Sequence, residues 1–163
     1  MAKIQIVEYD ASHGELIADQ LREFEMMSLN GRKDGKEDLA KWFSVMEQQA
    51  IMVTFLAEDR VAAVFAGLKL NKSTLEIWAF TGKAVDDSVR EFWKASVRGL
   101  SSLIEVHEGL TRIQCHVDAR HERSRAWVTK LGFINETPDG MKNYGPNDET
   151  FMLYARPVGG ENG

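Results

Sequence analysis

The sequence is poor in cysteine and in long apolar runs, and each shortage excludes a class of protein. A single cysteine among 163 residues cannot form an internal disulfide framework, which fits a reducing compartment. No apolar run reaches the ~20 residues of a membrane-spanning helix. The first ten residues, MAKIQIVEYD, lack the apolar core of a secretory signal. We therefore expect a cytoplasmic protein without a membrane partner.

Two further classes are excluded by histidine spacing and by charge. Four histidines and the cysteine show none of the CxxC, HxxxH or HExxH spacings of metal sites, so we expect no metal. A formal net charge of −5 argues against broad binding to nucleic-acid phosphates. The 44% hydrophobic and 28% charged content is that of a globular protein. We expect one domain over residues 1–157 and a frayed tail over 158–163.

Apolar periodicity predicts the order strand, two helices, three strands, helix, strand, helix and two strands. The predicted elements are a strand over 3–8, a helix capped by Ser12 and Glu15, a helix from Leu39 to Gln49, strands over 51–58, 61–70 and 74–82, a helix from Asp86–Ser88 to Ile104, a strand over 111–118, a helix over 124–131, and strands at 133–135 and 149–156. The turn-rich segment 30–35 separates the two early helices. This order predicts an α/β (α+β) fold, a mixed central sheet of about seven strands flanked by four helices.

The best-patterned stretch is Thr111–Phe133, TRIQCHVDARHERSRAWVTKLGF. Apolar and polar residues alternate over 111–118, as in a strand, and an apolar helical stripe then ends at Leu131. Gly132 occupies the position where a helix end favours a residue with positive φ. This stretch resembles the late strand and helix of the GNAT (Gcn5-related N-acetyltransferase) family, which end in Leu-Gly-Phe. More narrowly, it resembles GNAT-like proteins of tailed bacteriophages, some of them internal virion or assembly proteins.

The resemblance implies acetyl-CoA as co-substrate. In the family, the pantetheine arm pairs with the strand before a glycine-rich loop, and the loop and the next helix hold the diphosphate. The corresponding residues here are Ala79, Phe80, Thr81, Gly82, Lys83, Ala84 and Val85, with His121 at the start of the later helix. Gly82 and Lys83 match this role, but the other loop glycines are missing. Asp86 and Asp87 stand where donors are needed, and their charges would repel a diphosphate.

The resemblance also implies a base and an acid. Glu76 lies on the strand that carries the family's base, and Trp78 and Phe80 on the same face would raise its pKa by desolvation. His116, on the partner strand, is the second candidate base. The family's acid is a tyrosine five residues before the Phe of Leu-Gly-Phe, and Val128 occupies that position. Tyr144, in a loop predicted over 138–146, and Tyr154 are the candidates to replace it.

Two functions follow from the resemblance. The first is an acyl-CoA-dependent N-acyltransferase, in which an amine-bearing small molecule or protein attacks the thioester directly. The second is a non-catalytic GNAT-like assembly protein of a tailed phage, whose partners would be phage structural proteins in the host cytoplasm or virion. The family favours the first, whereas the missing loop glycines and the missing tyrosine favour the second.

Overall fold

The computed structural model describes residues 3–21 and 35–159. Its elements are β1 (Ile4–Glu8), α1 (Ala11–Asp19), α2 (Gly35–Gln49), β2 (Ile51–Ala57), β3 (Arg60–Lys69), β4 (Thr74–Thr81), a 3₁₀ turn (Lys83–Val85), α3 (Val89–Val106), β5 (Arg112–Asp118), α4 (Glu122–Lys130), β6 (Ile134–Asn135) and β7 (Phe151–Pro157). The predicted order and the mixed α/β class are confirmed. Of the turn predicted over 30–35, residues 30–34 lie outside the described residues, and Gly35 is instead the first residue of α2.

The seven strands form a mixed sheet in the order β1-β2-β3-β4-β5-β7-β6. The β4–β5 pair is parallel, whereas β1–β2, β2–β3, β5–β7 and β6–β7 are antiparallel. The contacts of the chain group into two compact units, Met1–Leu68 with Ala79–Glu105, and Lys69–Trp78 with Val106–Gly163. In the described part of the chain, no helix is long and apolar enough to cross a membrane.

The first unit is built around the hairpin of β2 and β3. The apolar run of β3 is buried on both faces, as its sequence predicts: the side chains from Val61 to Val64 are at most 1% exposed. The turn passes through Glu58, whose φ is 57°, and Ala57 pairs with Arg60. The predicted position of the hairpin is therefore confirmed.

The N-cap of helix α1 lies two residues before the predicted cap, Ser12. The Asp10 side chain accepts a hydrogen bond from the backbone N–H of Ser12, and Nδ1 of His13 accepts one from the backbone N–H of Asp10. Asp10 therefore takes the capping role predicted for Ser12, with His13 in place of the usual Glu or Gln. The described helix ends at Asp19.

Helix α3 packs through both large and small side chains. Its buried residues are Phe92, Ala95, Ser96 and Leu100, whereas Val97 is 42% exposed. A Cβ on Gly99 would lie 3.3 Å from the ring of Phe55, so the helix approaches β2 closely at this point. A glycine at this position lets the helix backbone approach the strand.

The second unit contains β5 between the start of β4 and β7. Ile113, Cys115 and Val117 are buried and alternate with half-buried polar residues, as predicted. Seven residue pairs join β5 to β7, from Arg112 opposite Pro157 to Asp118 opposite Phe151. In the tail, the backbone N–H of Val158 donates to the carbonyl of Thr111 at 2.9 Å, and residues 160–163 lie outside the described part.

Candidate functional site

Strands β4 and β5 pair over only three residue pairs, which end at Glu76 opposite Gln114. Both strands continue past this point, β4 to Thr81 and β5 to Asp118. Glu76, Gln114 and His116 lie on one sheet face in the second unit, because Gln114 is opposite Glu76 and His116 is two residues further along β5.

Glu76 and His116, named separately from the sequence, form a hydrogen-bonded pair. Nδ1 of His116 lies 2.7 Å from Oε1 of Glu76, and the side chains are 18% and 11% exposed, respectively. An ionised carboxylate can only accept, so Nδ1 must carry the proton. Nε2 of the neutral ring then holds the lone pair. This is the arrangement in which a carboxylate orients an imidazole for general-base chemistry.

The environment of Glu76 lowers its pKa. Burial acts to raise it, but hydrogen bonds from His116 and from Nε2 of Gln114, at 3.3 Å, outweigh that effect, and the positive charge that His116 can carry adds to them. The pKa increase expected from desolvation by Trp78 and Phe80 is therefore wrong. A carboxylate held ionised in this way orients a histidine better than it removes protons from an amine.

The ring of Tyr144 covers His116. The centroids of the His116 and Tyr144 rings lie 4.9 Å apart, with the ring planes at 17°. The ring of Phe151 packs against Tyr144, with the two ring centroids 5.4 Å apart. Tyr144 lies in the loop between β6 and β7, where Asn143 and Asp148 both take positive φ. Tyr144 is half exposed, and partial burial together with the charge of Glu76 raises its pKa. Its hydroxyl therefore stays protonated at neutral pH and can serve as a proton donor.

Tyr154, the other candidate acid, faces away from this group. It lies directly opposite Cys115, and Leu153 lies opposite His116, so Tyr154 and His116 are on opposite sheet faces. Its hydroxyl accepts a hydrogen bond from Nε of Arg125 at 3.1 Å, and the residue is 3% exposed. Tyr154 anchors α4 to β7.

The family's tyrosine position is part of the core. Val128, which occupies it, is 3% exposed and lies near the C-terminus of α4. At the start of that helix, His121 occupies the cap position without a side-chain bond to the backbone, and its Nε2 lies 3.1 Å from Oγ of Ser124. The role of His121 in cofactor binding stays a prediction.

The candidate diphosphate segment belongs to the first unit, and five of the backbone N–H groups over Gly82–Ser88 already donate to carbonyls. The N–H groups of Gly82 and Lys83 donate to the carbonyls of Ala62 and Gln20 at 2.8 and 2.9 Å. Those of Val85, Asp86 and Ser88 donate to carbonyls within the segment. A 3₁₀ turn thus replaces the open loop that a diphosphate would need.

Gly82 has a packing role. A Cβ at this position would lie 3.0 Å from Cδ1 of Ile17, 3.2 Å from the carbonyl oxygen of Gln20 and 3.3 Å from that of Val61. The space beside Gly82 is therefore filled by the chain itself. A glycine here lets α1, β3 and β4 meet closely, whereas the sequence suggested close approach of a phosphate.

The charges at the segment are mixed. Lys83, Asp86 and Asp87 are exposed, and Asp87 pairs with Arg60 across 3.1 Å. Helix α3 starts at Val89, directly after these carboxylates, as predicted. The segment does not offer a diphosphate the donors of a glycine-rich loop. Ala79, Phe80 and Thr81 of β4 stay the predicted contacts of a pantetheine arm.

Solved structures share this fold across almost the whole chain. An N-acetyltransferase from Staphylococcus aureus Mu50 is 15% identical, with a TM-score of 0.71, over 97% of this chain and 100% of that one. An acetyltransferase of the GNAT family from Streptococcus pneumoniae is 16% identical, with a TM-score of 0.65, over 96% and 100%. The yncA protein of Salmonella typhimurium, solved with its cofactor acetyl-CoA, is 12% identical, with a TM-score of 0.67, over 98% and 96%. The chain therefore has the fold of the GNAT acetyltransferases. No protein-family model and no curated protein matches it.

Sequence reasoning missed two members of the polar group, Gln114 and Arg112. Both are on the same strand face as His116, so the alternation over 111–118 already placed them together. The strand register that brings Glu76 opposite Gln114 could not be read from the sequence. That register brings Glu76 and His116, which the sequence offered as alternative bases, into one hydrogen-bonded pair.

Proposed function

We propose that the protein is an N-acyltransferase of GNAT type that moves an acetyl group from acetyl-CoA to an amine. The observation that carries this proposal is the 2.7 Å bond between Nδ1 of His116 and the carboxylate of Glu76. The fold supports it, and so does the presence of acetyl-CoA in the similar yncA structure.

His116 is the base in this proposal, and Glu76 holds it in position. Nε2 of His116 accepts a proton from the amine as the amine attacks, and the carboxylate of Glu76 stabilises the imidazolium that results. Acetyl-CoA, when bound, supplies an acyl group activated as a thioester. Tyr144, whose hydroxyl stays protonated and whose ring stacks on His116, is the candidate acid for the leaving thiolate. The roles of these three residues are inferences from their geometry.

The experiment measures thiol release. The protein is mixed with acetyl-CoA and a panel of primary amines, comprising a polyamine, amino acids and a lysine-containing peptide, and free thiol is followed with a disulfide reagent. We expect turnover with at least one amine and a fall on the order of 100-fold or more in His116→Gln, the range of general-base catalysis. Tyr144→Phe should slow turnover, whereas the matched variant Tyr154→Phe should not. Equal rates in wild type and His116→Gln would overturn the assignment of the base.

A non-catalytic role is the second candidate, and two observations favour it. Val128 fills the family's acid position with a buried apolar side chain, and five of the backbone N–H groups at Gly82–Ser88 already donate to carbonyls. A protein of this kind would use the fold for contacts with other proteins, and the link to phage assembly stays a prediction from the motif. Calorimetry separates the two functions, because a chain that binds no acetyl-CoA at millimolar concentration is not the acyltransferase proposed above.

A further inference from the structure

A continuous chain of hydrogen bonds runs along one face of β5 towards His116. Nε of Arg112 donates to Oε1 of Gln114 at 2.8 Å, and Nε2 of Gln114 donates to Oε1 of Glu76 at 3.3 Å. The same oxygen of Glu76 accepts a hydrogen bond from Nδ1 of His116 at 2.7 Å. The chain joins alternate residues of one strand, 112, 114 and 116, to a single carboxylate on the parallel neighbour. All of its members lie in the second unit.

The chemistry of Arg112 sets the orientation of the Gln114 amide. A guanidinium has donors only, so the group of Gln114 that meets Arg112 must be its carbonyl oxygen. The amide nitrogen of Gln114 then points to Glu76, which must accept. The ionised carboxylate has no proton to offer His116, so the imidazole donates through Nδ1. Arg112 and Gln114 thus hold in place the oxygen that accepts this proton.

Arg112 is itself held at its outer end. Two of its guanidinium N–H groups bond the two carboxylate oxygens of Glu136, one at 3.0 Å. The backbone N–H of Glu136 in turn donates to the carbonyl of Leu153 on β7, at 2.8 Å. A bidentate pair of this kind fixes the plane of the guanidinium, and therefore the direction of its Nε–H. The series of hydrogen bonds is therefore fixed by Glu136 at one end and ends at His116 at the other.

We propose that Gln114 and Arg112 are positioning residues that hold His116 as the Nδ1–H tautomer, with its Nε2 lone pair available to a substrate. The catalytic use of this tautomer rests on the acyltransferase function proposed above. The test of the tautomer does not depend on that function, because the tautomer is measured without substrate.

The test is long-range ¹H–¹⁵N correlation of the histidine rings at a pH where they are neutral. His116 of the wild type is expected to show the Nδ1–H pattern. His13 provides an internal reference of the opposite kind, because its Nδ1 accepts from the backbone N–H of Asp10 at 3.0 Å and its proton must be on Nε2. An Nε2–H pattern for wild-type His116 would overturn the proposal without any variant.

Two conservative variants test the two links. Gln114→Met keeps the shape and removes both hydrogen bonds, and Arg112→Lys keeps the charge beside Glu136 but removes the Nε–H that orients Gln114. We expect each to give His116 a measurable Nε2–H population while His13 is unchanged. Arg156→Lys, on neighbouring β7, is the matched control and should leave His116 as in the wild type. An unchanged His116 tautomer in both Gln114→Met and Arg112→Lys would overturn the proposal.

Kinetics provide the second arm. If the acyltransferase is active, Gln114→Met should lower kcat roughly tenfold, as loss of a partner that orients an imidazole commonly does, with KM for the amine unchanged. Arg156→Lys should change neither constant. A raised KM with unchanged kcat would contradict a positioning role. Absence of activity in the wild type would count against the proposed function alone, and the spectra would still decide the inference.

Discussion

The backbone N–H of Phe133 donates to the carbonyl of Val128 at 3.0 Å, while that of Gly132 donates to the carbonyl of Thr129 at 3.0 Å. Together these bonds form the Schellman motif that ends α4, with Gly132 at a φ of +93°. The motif normally brings its two apolar ends together, and here both are buried, Val128 at 3% and Phe133 at 2% exposure. The Leu-Gly-Phe signature is thus a helix ending, and the family's tyrosine position is one of its packed ends.

Replacing Gly132 with alanine tests this ending. A Cβ here would meet only ordinary contacts, 3.6 Å from Arg156, so the cost comes from the positive φ. We expect Gly132→Ala to lower the free energy of unfolding by about 1–2 kcal/mol in urea titrations. Gly132→Asn should cost less, because asparagine tolerates this conformation better. Equal losses in the two variants would point to packing as the cause.

Restoring the family's tyrosine should not restore its chemistry. Val128 is buried, so a ring in its place must displace neighbours, and we expect Val128→Tyr to destabilise the fold by about 1–3 kcal/mol. Val128→Ile, a smaller enlargement, is the matched control and should cost less. Thermal unfolding measures both. A Val128→Tyr variant as stable as the wild type, with faster thiol release, would show that the position opens towards the substrate.

Much of the fold could be predicted because its patterns are local. The alternation over 111–118 and the position of Gly132 each depend on residues close in sequence, and both are confirmed. The errors arose where side chains compete or where packing prefers small residues. Asp10 caps α1 in place of Ser12, two residues earlier, because its carboxylate accepts from the backbone N–H of Ser12 itself. On α3, Ala95 is fully buried, whereas the larger Val97 is 42% exposed.

The candidate site was harder to predict because it depends on register. Glu76 and His116 could be named from residue type and strand position, but their pairing requires Glu76 to align with Gln114 on the parallel neighbour. Nothing local in either strand specifies that alignment. Gly82 shows the converse problem, since a glycine in a phosphate loop and a glycine at a crowded crossing look the same in sequence.

The low pKa of Glu76 predicts how stability depends on pH. Because folding lowers this pKa, the carboxylate stabilises the native state above the unfolded value, about 4.3. That contribution is lost as pH falls through the lower native pKa. We expect Glu76→Gln to flatten the decline in unfolding free energy between about pH 5 and 3. Glu108→Gln, an exposed change in the same unit, should leave the decline unaltered. A slope unchanged by Glu76→Gln would contradict the low native pKa.

Cys115 should be silent towards thiol reagents in the native protein. Burial, together with the charge of Glu76, raises its pKa to about 12, and the residue is 6% exposed. Because the thiolate is the reactive form, we expect no labelling during the transferase assay and full labelling after unfolding in denaturant. Rapid labelling of the native chain would show that the β5 face opposite His116 opens to solvent.

Because backbone N–H groups of Gly82–Ser88 already donate to carbonyls, we expect little preference between acyl donors with and without a diphosphate. A diphosphate held by free loop N–H groups would gain about 1.5–3 kcal/mol from each charged hydrogen bond, and a single such bond changes affinity roughly tenfold or more. Here five of those N–H groups donate elsewhere, so we expect acetyl-CoA and S-acetyl-pantetheine to bind within tenfold of each other by calorimetry. Replacing Asp86 and Asp87 together with asparagine should strengthen acetyl-CoA binding and leave acetyl-pantetheine unchanged, because only the first carries charges for the carboxylates to repel. Acetyl-CoA binding more than about 100-fold tighter than acetyl-pantetheine would show that the segment rearranges to grip the diphosphate.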